Sequence, residues 1–171
     1  MKYSRDIFYL MALTLVVVAG CQTPLGKFNK QKQVVDNIQR QEDDNKQKQL
    51  ESGRTFVYAA DQALQKDPTP SPQSQVAKQM TTRGVTALGP PQMENAIKSD
   101  QMVTGLLSAD PEEVKKGQAI LATMDKNLVA LQNQNRILRG QLGDAQQKLD
   151  EVNQENALQA TKYASLMGKV Y

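Results

Sequence analysis

Apolar residues recur at helical spacing along almost the whole chain, and the clearest run lies at its C-terminal end. From Val114 onward the sequence keeps a 3,4 spacing. One seam position holds Val114, Leu121, Leu128, Asn135, Leu142, Leu149, Asn156, Tyr163 and Val170. The other holds Gly117, Met124, Leu131, Leu138, Ala145, Val152, Gln159 and Leu166. Heptads sustained over more than three or four repeats predict a coiled coil, here over residues 111–171. Its start is marked by Asp110-Pro111-Glu112-Glu113. Asp110 can cap, Pro suits a first helical position, and Glu113 stands at capping-box spacing.

Upstream, residues 27–66 read as a long helix. Phe28, Val35 and Ile38 share one face, residues 39–49 are almost wholly polar and are expected to be solvated, and apolar residues return as a wide stripe at Leu50, Phe56, Val57, Ala59, Ala60, Ala63 and Leu64. Gly53 marks a bend or a close contact. Asp67-Pro68-Thr69-Pro70-Ser71-Pro72 should end that helix in an extended inter-helix loop. Residues 73–88 form the next helix, with Val76, Met80, Val85 and Leu88 as core candidates and Gly84 as a weak point. Gly89-Pro90-Pro91 breaks it. Met93, Ile97, Met102, Val103, Leu106 and Leu107 predict a third helix to about Ser108. Methionine is common in these two helices and reads as ordinary core. The expected fold is all-α: a small helical head, residues 67–110 being loop and short helices, plus a long C-terminal coiled-coil helix.

The seam leaves strand number and orientation open. Asn135 and Asn156 occupy the same seam position, and a buried Asn fixes register, pairing with its own counterpart in parallel two-stranded coils. That favours a parallel homo-oligomer. Flanking positions carry few charge pairs, so a dimer, a trimer and an antiparallel return of the first helix onto the last all fit.

Residues 1–20 do not belong to the fold. Lys2 and Arg5 precede an apolar run from Ile7 to Val18 that ends in Ala19-Gly20-Cys21. That stretch is shorter than the roughly 20 residues a transmembrane helix needs, and it has the form of a secretory signal. Val18-Ala19-Gly20-Cys21 resembles the lipobox of bacterial lipoproteins. The resemblance implies cleavage before Cys21 and diacylglycerol on its sulfur, often with acylation (palmitate) of the new amino group. Two or more chains anchor a protein stably. Residues 21–26 would be a tether. Gln22, where such lipoproteins carry Asp for inner-membrane retention, implies the outer membrane, with the chain facing the periplasm.

Composition narrows the chemistry. There is no His and one Cys, so the chain has no imidazole base, no internal disulfide and no zinc cluster. No phosphate loop or nucleophile motif appears. The chain is expected not to be an enzyme and to carry no cofactor or metal beyond the lipid on Cys21. Aromatics make up 5% of the residues and Trp is absent, which suits narrow helical seams rather than a large core. A net charge of +3 without a basic stripe gives no footprint for nucleic acid.

The architecture loosely resembles murein lipoproteins: a lipidated Cys, a heptad coil, and a Lys- and Tyr-containing end at Thr161-Lys162-Tyr163 and Lys169-Val170-Tyr171. Those proteins end in the Lys joined to peptidoglycan, so here no covalent link is expected. The resemblance implies a structural, tethering or assembly role in the envelope, with membrane lipid, a second copy, a coiled-coil envelope protein or peptidoglycan as partners. Alternatives are a phage spanin-type outer-membrane lysis lipoprotein and an accessory lipoprotein of a secretion or adhesion machine.

Overall fold

The computed structural model describes residues 23–67 and 70–167, and these form four α-helices. They are α1 (Pro24–Lys66), α2 (Pro70–Arg83), α3 (Met93–Leu106) and α4 (Pro111–Met167). The class is all-α, as the periodicity predicts, and the long C-terminal helix packs against the first, one of the arrangements that the seam left open. Residues 40–140 form one compact unit, and the described residues before 40 and after 140 form another.

α1 begins earlier than its apolar pattern suggests. The Thr23 hydroxyl accepts the Gly26 N–H at 3.2 Å, and the Thr23 carbonyl accepts the Lys27 N–H at 3.0 Å. Thr23 is thus an N-cap, and Pro24 takes the first helical position, where its missing N–H costs nothing. The tether expected through Gly26 is correspondingly shortened, because Pro24, Leu25 and Gly26 are helical.

In each unit α1 and α4 run antiparallel. Within residues 40–140, Glu42 pairs with Arg139, while Asn45 and Gln49 both reach Leu131. In the other unit, Gln31 donates to the Ala145 carbonyl at 3.0 Å and Asn156 to the Pro24 carbonyl at 3.4 Å. The antiparallel return of the first helix is therefore the arrangement that fills the seam. Asn156 meets Pro24 of its own chain, and Asn135 is buried between Leu131 and Arg139, both of which contact α1.

α1 answers α4 with a heptad of its own. Phe28, Gln31, Val35, Ile38, Glu42, Asn45, Gln49, Ser52, Phe56, Ala59 and Ala63 follow a 3,4 spacing, and all are buried or half-buried. The expectation that residues 39–49 are solvated holds for the outer side, where residues 40, 41, 43, 44, 47 and 48 are exposed, and is corrected at Glu42 and Asn45, which are buried because polar side chains hold the seam positions there. Leu50 and Leu64, expected on the apolar stripe, fall outside the register and are a little under half exposed.

The core lies in the unit of residues 40–140. Phe56, Ala59 and Ala63 of α1 meet Val76 of α2, Met102, Val103 and Leu106 of α3, and Leu121 and Leu128 of α4. Fully burying side chains of this size stabilises by about 1.5–3 kcal/mol each for the larger ones. Gly53 makes a close contact rather than a bend: a β-carbon there would stand 2.8 Å from the Ala87 Cβ.

The short helices shift relative to expectation. α2 starts at Pro70, so Pro70-Ser71-Pro72 form its first turn instead of an extended spacer; Pro is tolerated there because first-turn N–H groups have no intrahelical partner. α2 ends at Arg83 rather than Leu88. Gly84 has φ 62°, its N–H bonds the Thr81 carbonyl, and the Val85 N–H bonds the Met80 carbonyl. These two bonds form a Schellman stop, in which Gly takes the left-handed conformation at no steric cost. Leu88 consequently sits in a loop at 80% exposure instead of in the core. Met93 and Ile97 are likewise on the outer side of α3.

At the head of α4, Asp110 accepts the Glu112 N–H at 2.9 Å, as expected of a cap. The return bond of a capping box is replaced. Ser108 Oγ takes the Asp110 N–H at 3.1 Å, and Glu113 pairs with Lys116.

Candidate functional site

Cys21 and the lipobox residues Val18, Ala19 and Gly20 lie outside the described residues. The structure does place the helix start that follows them, with Thr23 and Pro24 closing the chain into α1 two residues after Cys21.

The predicted seam residues are assembled along one side of α4. Leu121, Leu128, Asn135 and Leu138 are buried, and Met124, Leu131, Leu142, Leu149, Val152 and Asn156 are half-buried. Among them sits a polar layer that the α4 heptad alone does not announce. Glu42 Oε1 accepts Lys46 Nζ at 3.0 Å and Arg139 Nε at 3.0 Å. These hydrogen bonds, Lys46 first and Arg139 second, hold the Glu42 carboxyl below its ordinary pKa against the opposing effect of burial. The side-chain amides of Asn45 and Gln49 each donate to the Leu131 carbonyl at 2.9 Å. The Asn135 Oδ1 is buried with no hydrogen-bond partner. An orphaned acceptor of this kind costs about 1–3 kcal/mol. The signal for this layer was present in the phase of α1, where Glu42, Asn45 and Gln49 stand at seam positions.

Beside this layer, an open groove of about 920 Å³ is bordered by Glu51, Asn95, Lys98, Met124, Asn127 and Leu131. Glu51 shapes one wall. Its Oε1 accepts the Gln92 N–H at 2.6 Å and the Asn95 amide at 2.8 Å. α3 has no cap of its own, since Gln92 makes no side-chain cap bond; a carboxylate from α1 satisfies its positive end instead. Arg83, at the end of α2, forms a two-point pair with Asp125 of α4, at 2.8 Å and 2.9 Å. That hydrogen bond lowers the Asp125 pKa and raises the Arg83 pKa.

The groove is lined by amides, by carboxylates and cations such as Glu51 and Lys98, and by apolar side chains such as Met124 and Leu131. Among the described residues, no three of His, Cys, Asp or Glu converge as a metal would require, and no helix is long and apolar enough to cross a membrane. Comparison with protein-family models, with curated proteins and with solved structures returned no match.

Proposed function

We propose that this chain is a membrane-anchored envelope lipoprotein with a structural, tethering or assembly role. The observation that carries the reading is the N-terminal sequence: a short basic start, an apolar run, and Val18-Ala19-Gly20-Cys21. The lipid on Cys21 is its anchor and, in this reading, the outer membrane its surface. The coiled coil of α1 and α4 is the body that the anchor holds in the periplasm.

The hairpin changes how a partner would be engaged. The α4 seam is filled by α1 through Asn156, so a second copy or an envelope partner would use other surfaces, the groove beside Glu51 among them. Growth with an alkyne-tagged palmitate tests the anchor. The full-length chain should take up the label and sediment with membranes, and Cys21→Ser should do neither. Equal labelling of both proteins would overturn the reading.

A further inference from the structure

The antiparallel pairing of α1 and α4 brings the end of α4 back to the start of α1. Asn156 donates to the Pro24 carbonyl at 3.4 Å, and α4 then continues as helix to Met167, with residues 157–167 all exposed and no other described residue bonded to them from outside the helix. Eleven residues of helix past that contact extend about 16 Å. Three residues from Pro24 back to Cys21 can span no more than about 11 Å, even fully extended. If Cys21 is held at a lipid surface, the end of α4 overshoots the distance available to it and meets that surface.

The residues in the overshoot suit such an encounter. Leu158, Tyr163, Leu166 and Met167 are all more than half exposed. Leu158, Lys162 and Leu166 follow one another at i, i+4, and Gln159, Tyr163 and Met167, also at i, i+4, adjoin them, so one half of the helix carries all its large side chains, Gln159 and Lys162 being the polar ones beside the Tyr163 hydroxyl. The other half is Ala157, Ala160, Thr161, Ala164 and Ser165. The charge pattern turns at the same point. Residues 144–155 carry Asp144, Asp150, Glu151 and Glu155 against one Lys, whereas residues 157–167 carry Lys162 alone. Tyr is favoured at lipid–water boundaries, Lys can extend its amine from an apolar surface toward headgroups, and anionic lipid attracts its charge.

We propose that Ala157–Met167 is a membrane-contacting segment, lying in the lipid interface beside the Cys21 anchor as a second point of attachment. The inference rests on the reading of Cys21 as lipidated. It makes the lipid surface, rather than a second chain, the cover for Leu158, Tyr163 and Leu166.

The mature lipidated protein contains no other thiol, so an introduced cysteine can be labelled alone. Full-length Tyr163→Cys, Leu166→Cys and, as a control, Gln132→Cys would each carry an environment-sensitive fluorophore. Each would be reconstituted in vesicles of phosphatidylethanolamine and phosphatidylglycerol doped with doxyl-chain lipid. The expected result is a blue-shifted emission and several-fold stronger quenching at 163 and 166 than at 132. Mass spectrometry of the same preparation reports the lipid on Cys21. A lipidated protein whose labels at 163 and 166 are no more quenched than the control overturns the membrane contact and leaves the anchor standing. Copy-to-copy crosslinking at 163 without quenching assigns the face to a second chain and also overturns it. Absence of lipid on Cys21 removes the anchor reading and this one together.

Discussion

Gly105 and Gly117 meet backbone to backbone: a β-carbon on Gly105 would stand 3.0 Å from the Gly117 Cα, and one on Gly117 would stand 2.7 Å from the Leu106 nitrogen. This contact lets α3 turn into α4 across the short link at residues 107–110. Backbone cannot swing aside as a flexible side chain can, so Gly117→Ala should destabilise by about 1–3 kcal/mol through overpacking. Gly140 and Gly143 lie in the same helix with open space where a β-carbon would go. Ala at either should stabilise by about 0.5–1 kcal/mol, because Gly is the poorer helix former. Urea denaturation of the three variants checks the contrast, and equal signs at 117 and 140 would contradict it.

Asn135 carries the buried acceptor without a partner. Asn135→Leu should raise stability by about 1 kcal/mol or more, since it removes an unsatisfied group and extends the apolar seam between Leu128 and Leu138. Asn135→Asp should lower it, because it buries a charge with no cation assigned to it. Thermal melts followed by circular dichroism distinguish the two.

Two carboxylates set an acid limit on the fold. Asp125 is held below its ordinary pKa by the Arg83 hydrogen bond, and Glu42 by those from Lys46 and Arg139. A carboxylate whose folded pKa is depressed contributes stability that is present above its unfolded pKa and lost as pH falls through the folded one. Stability should therefore hold near neutrality and decline below about pH 4, where free carboxyls ordinarily titrate. Asp125→Asn should be the less stable protein at pH 7, and its deficit should shrink toward pH 2. A deficit that stays constant across that range would show that the ion pair is not its source.

Glu51 caps a helix to which it does not belong. Glu51→Ala should cost about 1 kcal/mol, the usual penalty for losing a cap, and Glu51→Gln, which keeps an acceptor oxygen, should cost less. Amide hydrogen exchange should speed up first at Gln92 and the opening turn of α3. Uniform acceleration across the whole unit would argue against a local role.

The helical class, the seam of α4 and the Asp110 cap could be read from spacing and cap chemistry, because both are local. The partner of the seam could not. A heptad states that a helix needs cover without naming its source, and Asn135 and Asn156 fit a parallel copy as well as a folded-back α1. Residues 39–49 misled for a related reason. Glu42, Asn45 and Gln49 keep the seam register, but their polarity resembles a solvated face until Arg139 and the Leu131 carbonyl come opposite them. Leu88 was lost to the Gly84 stop, whose left-handed turn is indistinguishable in sequence from a glycine tolerated inside a helix. Of the candidate site, the Glu51 cap and the Arg83–Asp125 pair depend on contacts 41 and 42 residues apart, beyond the reach of any local pattern.

The return of α4 onto α1 also fixes an order of events. Gln31 and Ala145 are 114 positions apart, and Pro24 and Asn156 are 132 apart. A chain delivered N-terminus first presents the apolar side of α1 long before the helix that shelters it exists. Contacts this distant close slowly, and until they close, Phe28, Val35 and Ile38 have no native cover. The polar residues spread through the α1 seam keep that waiting surface from being continuously sticky. The interval before α4 arrives is the stage at which a holding chaperone has the most to gain.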